Sequence, residues 1–205
     1  MLPLLVASGN AAKVAELRRL VEAAKLPVDV LGLADVAPYE EPVEDGATFA
    51  DNALTKARAG AQASGLATLA DDSGLEIDVL NRMPGVRSAR WAGPGASDDD
   101  NLQLVLRQLA DVGPDRRQAR FVCAVAVVWP GAEPVVVERS MEGAIIEQPR
   151  GHHGFGYDPI FQPVGLAQTT AELSAAEKDA ISHRGKALRA ILPTLAELAS
   201  AWEAR

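Results

Sequence analysis

The chain begins with a short apolar segment, Leu2 to Val6, which is followed by the loop Ser8-Gly9-Asn10 and then by a helical pattern. In that pattern apolar residues recur every three or four positions from Val14 to Ala24, which predicts a helix with one buried face. A buried strand that passes through a glycine loop into an amphipathic helix is typical of proteins that interleave strands with helices. The first segment therefore favours an α/β fold.

The middle of the chain continues this alternation. Thr48 and Asp51 form a short capping box at the start of a predicted helix, which is expected to end near Gly65. Leu66 to Ala70 is a predicted strand that leads directly into Asp71-Asp72-Ser73-Gly74. Because successive side chains of a strand point to opposite faces, the two aspartates are predicted to separate. The turn composition of Ser73-Gly74 favours Asp72 as the outward residue.

The second half of the chain adds an antiparallel pair and three helices. Phe121 to Val128 and Val135 to Glu142 are predicted to be paired long strands, and Pro130-Gly131 between them predicts a hairpin. One helix is predicted after Ser97, where Asp98-Asp99-Asp100 complements the helix dipole, and another after Ser174. The last helix is predicted to kink or restart at Pro193. The whole pattern predicts an α/β fold with a long mixed sheet and flanking helices.

Composition limits the class of partner. The 205 residues carry a formal net charge of −8, which argues against a nucleic-acid polymer because such binding depends on basic surface. No apolar run approaches the ~20 residues that span a bilayer, and no cationic segment precedes the first apolar residues. We therefore expect no membrane span and no signal peptide. The single Cys123 excludes an internal disulfide and favours a cytoplasmic location.

Two polar clusters in the first half of the chain carry candidate chemistry. Ser8 to Lys13 opens a helix, so free N–H groups, a glycine and an ammonium group outline a phosphate site. The alternative is an ordinary capped helix start. The acidic loop Glu40 to Asp45 and the pair Asp71-Asp72 offer the oxygen ligands that Mg²⁺ prefers. The alternative is that these acids only solvate a turn.

Two further clusters lie in the second half. Gly151 to Pro159 combines glycines with aromatic residues, which predicts a loop where Phe155 stacks on a nucleobase. The adjacent His152-His153 has no third ligand at metal-site spacing, so both side chains are predicted to face solvent or substrate. Ser182 to Lys186, preceded by Lys178, gathers hydrogen-bond donors before the last helix. Such cations also occur simply as a solvated helix face.

In combination and in this order, the clusters resemble the inosine triphosphate pyrophosphatase family, also called dITP/XTP diphosphatases. One departure is Asp51, where family members often carry glutamate. The resemblance extends from residue 2 to about residue 192, nearly the whole chain. The matching segments are Ser8-Gly9-Asn10 with Lys13 and Glu16, Thr48 to Ala53 with Lys56-Ala57, Ala70 to Leu75, Pro84 to Arg90, Gly154 to Pro159 and Ser182-His183-Arg184.

The resemblance implies a single two-lobed domain over residues 1–205, with a central nucleotide cleft, and a homodimer. It implies Mg²⁺-dependent hydrolysis of ITP, dITP and XTP to the monophosphate and pyrophosphate, which removes these nucleotides from the pool. It also implies that Asp72 accepts the proton of the attacking water and that Glu44 and Asp72 bind the metal. The implied substrate-binding residues are Ser8, Gly9, Asn10, Ala11, Ala12, Lys13, Ser73, Phe155, Gly156, Tyr157, Asp158, Lys178, His183 and Arg184.

Two other functions fit parts of the same pattern. One is a nucleotide-binding regulator without turnover, although the acids Glu44, Asp71 and Asp72 argue against it. The other is a pyrophosphatase for modified pyrimidine triphosphates, which the loop around Phe155 and the pair His183-Arg184 make less suitable. Under the purine hypothesis, donors such as His183 and Arg184 match the C6 carbonyl of hypoxanthine and xanthine, and the sequence identifies no residue that rejects guanine.

Overall fold

Seven strands and five α-helices alternate along residues 1–204, the part of the chain that the computed structural model describes. The strands form one mixed sheet in the order β2-β1-β3-β5-β6-β7, and β4 pairs with β3. This arrangement confirms the predicted α/β class with a long mixed sheet. In chain order the elements are β1 (Leu2–Val6), α1 (Ala11–Ala23), β2 (Val28–Leu31), α2 (Phe49–Ser64), β3 (Ala67–Ile77), β4 (Met83–Pro84), α3 (Asp98–Gln108), β5 (Gln118–Val128), β6 (Val135–Ile145), β7 (Phe161–Pro163), α4 (Ala175–Ile181) and α5 (His183–Glu203).

The residues group into two compact units. Unit 1 contains Met1–Asp72, Ala124–Glu138 and the described residues from Ala187 onward. Unit 2 contains Ser73–Cys123 and Arg139–Lys186. The boundary between Asp72 and Ser73 falls within β3, so this strand contributes residues to both units.

In unit 1, the parallel pairing of β1 with β3 brings two predicted clusters to the same edge of the sheet. Leu4 pairs with Ala67 and Val6 with Leu69, and the N–H of Ala7 donates to the carbonyl of Leu69 at 2.8 Å. The chain leaves the sheet after Ala7 to start α1, whereas β3 continues past this point through Asp71 and Asp72. The start of α1 and the acidic residues of β3 are neighbours for this reason.

The predicted capping box of α2 is confirmed. The carboxylate of Asp51 accepts from the Thr48 N–H at 3.0 Å and from the Thr48 hydroxyl at 2.8 Å. In return the N–H of Asp51 donates to the Thr48 hydroxyl oxygen at 3.1 Å. An aspartate therefore closes the box at the position where the resembling family often has glutamate.

Thr48→Ala is expected to lower the free energy of unfolding by about 1 kcal/mol, because the helix loses its side-chain cap. Thr55→Ala is a matched control, since Thr55 is an exposed residue inside the same helix. There the same substitution is expected to be neutral or slightly stabilising, because alanine has the higher helix propensity. Urea unfolding of the three proteins checks this, and equal effects of the two substitutions would contradict the capping role.

The predicted turn at Ser73-Gly74 is wrong. The strand continues without a break from Ala67 to Ile77. Beyond the glycine, Leu75 and Ile77 have no exposed surface, and Ile77 is paired with β4. Burial and pairing of these residues outweigh the local turn preference of Ser-Gly.

The last helix also begins earlier than predicted. It runs from His183 to Glu203 with Pro193 inside it, so it does not restart at the proline, and His183-Arg184 lies in its first turn. Although α5 has 21 residues, no helix within residues 1–204 has the length and hydropathy needed to cross a bilayer.

Unit 2 has a hydrophobic core of its own, formed by residues of α3, the ends of three long strands and the segment before β7. Leu102 and Val105 of α3, together with Leu109 at its C-terminal end, are each at most 3% exposed. Against them pack Leu75, Ile77, Ala119, Phe121, Met141, Ile145, Tyr157, Ile160 and Phe161.

Candidate functional site

The N-terminus of α1 is open to solvent in unit 1. Asn10 caps the helix, since its side-chain oxygen accepts from the Ala12 N–H at 2.9 Å. The hydroxyl oxygen of Ser8 in turn accepts from the Asn10 N–H at 3.2 Å. Gly9, Ala11 and Ala12 are exposed. A short polar loop therefore presents the positive end of a helix dipole to solvent, which suits an anion such as a phosphate.

Lys13 and Asp71 form an ion pair beside this helix start. The Lys13 ammonium lies 2.7 Å from a carboxylate oxygen of Asp71, whose side chain is fully buried, whereas that of Lys13 is 25% exposed. The predicted separation of the two aspartates is confirmed, with Asp71 as the buried residue of the pair. Its buried carboxylate holds the ammonium of Lys13 at the edge of the sheet next to the helix N-terminus.

Asp72 has different partners. One carboxylate oxygen accepts from the side-chain amide of Asn52 at 2.9 Å, and the other lies 3.9 Å from the Lys56 ammonium. The same ammonium lies 3.1 Å from Glu44. Glu44 and Asp72, predicted from the family resemblance to bind metal, are thus brought to one cation.

These residues suit a hard divalent cation. Mg²⁺ is usually bound by one or two carboxylates together with phosphate oxygens and water, and here two carboxylates converge on one positive charge. Within residues 1–204, no group of three or more His, Cys, Asp or Glu side chains is arranged to hold a metal. Glu44 and Asp72 could therefore hold such a cation only together with further ligands, such as phosphate oxygens and water.

Asn52 and Lys56 are site residues that the sequence analysis did not single out. Asn52 is 1% exposed, and its side-chain oxygen accepts from the Gly46 N–H at 2.8 Å while its amide donates to Asp72. It therefore joins the acidic loop to β3. The signal in the sequence was the spacing of four residues between an asparagine and a lysine, which places them on one helix face.

A cavity of about 150 Å³ lies in unit 2. Its lining includes seven of the predicted substrate-binding residues: Ser73, the loop residues 155–158, Lys178 and His183. The structure therefore brings together segments separated by more than a hundred positions in the sequence. Ser88, Asp98, Asn101 and Phe121 also line it, and none of them was predicted as a site residue.

Asp158 organises the glycine-rich loop of this cavity. The residue is 2% exposed, and its carboxylate forms an ion pair with Lys178. It also accepts from the Thr170 hydroxyl at 2.8 Å and from the Phe155 N–H at 2.9 Å. A buried charge with a charged partner and two neutral donors is well compensated, so Asp158 is a stable anchor for the backbone at Phe155.

The two aromatic residues of the loop differ in exposure. Phe155 is 75% exposed, with the Lys178 ammonium 5.1 Å from its ring centroid. Tyr157 is buried, and its hydroxyl donates to the Ser88 carbonyl at 2.7 Å. Burial raises the pKa of the Tyr157 hydroxyl, and the Asp98 carboxylate adds to this effect. Tyr157 therefore stays neutral and anchors the loop, whereas Phe155 presents an open ring face.

His183 and Arg184 occupy different surroundings. The His183 ring stacks on Phe121, with 5.0 Å between centroids and 15° between planes, and it lines the cavity. Arg184 is not among the lining residues. Burial lowers the pKa of its guanidinium to about 10, which leaves it charged at neutral pH. The structure supports His183 as a cavity residue, and contact of Arg184 with the base stays a prediction.

The adjacent His152 and His153 are exposed, as one of the two predicted alternatives required. Both donate their backbone N–H to the Ala171 carbonyl, at 3.1 and 3.0 Å. Their backbone thus fastens the glycine-rich loop.

The chain is similar to proteins of known family over nearly its full length. A dITP/XTP pyrophosphatase from Corynebacterium efficiens is 54% identical in an alignment 203 residues long, which covers 96% of this chain and 98% of that protein. A solved structure of a nucleoside-triphosphatase, or dITP/XTP pyrophosphatase, from Mycobacterium abscessus has a TM-score of 0.81 at 54% identity and covers 94% of this chain and 100% of its own.

A HAM1 protein from Coxiella burnetii has a TM-score of 0.90 at 41% identity, covering 96% of this chain and 100% of its own. The model of the Ham1 family matches residues 4–194. The resemblance read from the motifs is therefore confirmed. The chain belongs to the Ham1 family.

Proposed function

We propose that this protein hydrolyses ITP, dITP and XTP, the triphosphates of deaminated purines, to the monophosphate and pyrophosphate. One observation carries the proposal: the carboxylates of Glu44 and Asp72 converge on the Lys56 ammonium, and β3, which holds Asp72, pairs with β1, the strand that leads to the open N-terminus of α1. Two carboxylates at a nucleotide site suit a metal-dependent attack on a phosphate. The relatives named dITP/XTP pyrophosphatase, at 54% identity, support the same reaction.

In the proposed reaction a water oxygen bonds to the α-phosphorus of the nucleotide. The bond between this phosphorus and the oxygen that bridges to the β-phosphorus breaks, and pyrophosphate leaves with the bonding electron pair. Asp72 accepts the proton of the water, and Asn52 orients its carboxylate through the 2.9 Å hydrogen bond. Proton transfer to a positioned carboxylate contributes typically ~10²–10⁴-fold to the rate.

The phosphates are proposed to bind at the start of α1. Lys13, held by Asp71, and the N–H groups of the first helical turn stabilise the negative charge that develops on the leaving pyrophosphate. The family is one of nucleotide pyrophosphatases that are generally metal-dependent. We assign the metal as Mg²⁺, held by Glu44 and Asp72; when bound it supplies positive charge that neutralises phosphate oxygens and acidifies the attacking water.

The base is proposed to bind in the cavity of unit 2. The exposed ring of Phe155 offers a stacking face, and Lys178 and His183 offer donors. Hypoxanthine and xanthine carry a carbonyl at C6, which accepts such hydrogen bonds, whereas adenine carries an amino group there. Buried donors that adenine leaves unmatched favour the 6-oxo purines.

Pyrophosphate release from a panel of ITP, XTP, ATP, GTP and UTP with Mg²⁺ tests this function. We expect turnover of ITP and XTP at a kcat/KM well above that of the other three nucleotides. Preference for UTP would instead identify a pyrimidine triphosphatase. Binding of ITP without pyrophosphate release would identify a nucleotide-binding regulator.

We also propose a homodimer and a cytoplasmic location. The dimer is inferred from the family resemblance, and the location from Cys123, the single and buried cysteine of the sequence. Light scattering coupled to gel filtration tests the first proposal, because a monomer mass near 21.6 kDa would contradict it.

A further inference from the structure

Asp98 lies in the first turn of α3, but the cap of this helix is complete without it. The hydroxyl oxygen of Ser97 accepts from the Asp100 N–H at 3.1 Å. The Asp100 carboxylate accepts from the N–H and the hydroxyl of Ser97 at 2.9 and 2.7 Å. Asp98 and its neighbour Asp99 are therefore not needed to satisfy the capping box, and they can be compared directly.

Unlike the capping residues, Asp98 bonds to a distant loop of unit 2. Its carboxylate accepts from the Gly156 N–H at 2.8 Å, across 58 positions of sequence. The preceding N–H, that of Phe155, is held by Asp158 at 2.9 Å. Two consecutive N–H groups are thus fixed by two carboxylates: Asp158, which is paired with Lys178 of α4, holds that of Phe155, and Asp98 ties that of Gly156 to the start of α3.

The ring of Phe155 depends on this backbone for its position. Because 75% of the residue is exposed, packing against protein constrains it little. Gly156 has a φ of +61°, a left-handed conformation that favours glycine and leaves the loop with intrinsic freedom. The hydrogen bond between the Gly156 N–H and Asp98, at the start of α3, restricts the backbone at the residue next to Phe155.

We propose that Asp98 is a positioning residue for base recognition. It holds Gly156, and through it Phe155, so that the ring is oriented for stacking before the nucleotide arrives. Asp98 also lines the cavity beside Tyr157, which places its charge in the same pocket. The inference rests on the proposed function, because it assigns the cavity to the base of the nucleotide. A stacking face that is already ordered raises affinity, because the loop loses less conformational entropy when the nucleotide binds.

The test compares steady-state kinetics of Asp98→Ala and Asp99→Ala with ITP and Mg²⁺. We expect Asp98→Ala to raise KM about tenfold and to change kcat little. An increase of this size lies in the lower part of the range of affinity losses that follow the removal of one base-stacking contact. Phe155→Ala should raise KM at least as much. Asp99→Ala should match the wild type, since Asp99 does not line the cavity. Asp98→Asn keeps an oxygen that can accept from Gly156 and should recover most of the affinity.

Inhibition by imidodiphosphate, which has no base, separates this role from general damage. Its inhibition constant should be the same for wild type and Asp98→Ala, and the far-UV circular dichroism of the folded proteins should be unchanged. A KM of Asp98→Ala equal to that of Asp99→Ala would overturn the positioning role alone, as would equal weakening of ITP and imidodiphosphate. A wild-type protein that releases no pyrophosphate from ITP, dITP or XTP would overturn the proposed function and this role together.

Discussion

Asp72→Asn is expected to fold like the wild type and to lose hydrolysis of ITP, with a fall in kcat of about 10²–10⁴-fold. Asparagine has nearly the same shape and keeps an oxygen for the 2.9 Å bond from Asn52, so the structural role of the residue is retained. It cannot accept the proton of the attacking water, and it removes one of the two charges that face the cation. The chemical step is therefore lost while the fold is not.

The measurement is kcat at saturating Mg²⁺ together with the thermal unfolding temperature. Asp45→Asn is the matched control, because Asp45 is an exposed acid of the same loop as Glu44. It should retain nearly full activity. Mg²⁺ should raise the unfolding temperature of the wild type more than that of Asp72→Asn or Glu44→Gln, since a ligand stabilises the state that binds it. Turnover retained by Asp72→Asn would show that another group accepts the proton.

Lys13→Met is expected to reduce both stability and activity. Loss of one partner of a buried ion pair costs ~3–5 kcal/mol, and we expect about 2 kcal/mol here because Lys13 is 25% exposed. The value of kcat/KM for ITP should fall by about 100-fold or more, because a positive charge aimed at the leaving group is removed. Urea unfolding and steady-state kinetics give the two quantities.

The double variant Lys13→Met/Asp71→Asn separates the two effects. Neutralising the buried carboxylate should recover about 1 kcal/mol of the lost stability, because an isolated buried charge is less favourable than a neutral amide. Activity should stay low, since the ammonium group is still missing. Arg19→Met, which removes an exposed cation of the same helix, should change neither quantity. Activity that recovers along with stability would show that Lys13 acts only through the fold.

Local patterns predicted the elements whose cause is local. The apolar periodicity of α1 and the box formed by Thr48 and Asp51 each involve residues within a few positions of one another, and the structure contains both. Strand alternation also separated Asp71 from Asp72 correctly, because the period of a strand does not depend on its neighbours. Such features follow from short-range chemistry alone.

Long-range contacts decided the features that the sequence analysis missed. The Ser73-Gly74 segment forms no turn, because buried residues beyond it hold it in β3. Asn52 reaches Asp72 across 20 positions, and Asp98 reaches Gly156 across 58. Such pairs do not follow from the periodicity or the local preferences of the sequence. Asp98 in particular is already explained by its favourable interaction with the helix dipole, so its sequence position gives no sign of a distant partner.

By itself the sequence determined the α/β class, the order of the motifs and the separation of Asp71 from Asp72 along a strand, since these depend on local pattern. The role of Asp72 as proton acceptor comes from the family resemblance and stays a prediction. Only the tertiary structure decided which groups share a site: the Lys56 ammonium between Glu44 and Asp72, the buried partner of Lys13, and the helix that holds the Phe155 loop. The physical reason is that a side chain's partners depend on how the backbone folds in space, whereas its periodicity depends only on the residues beside it.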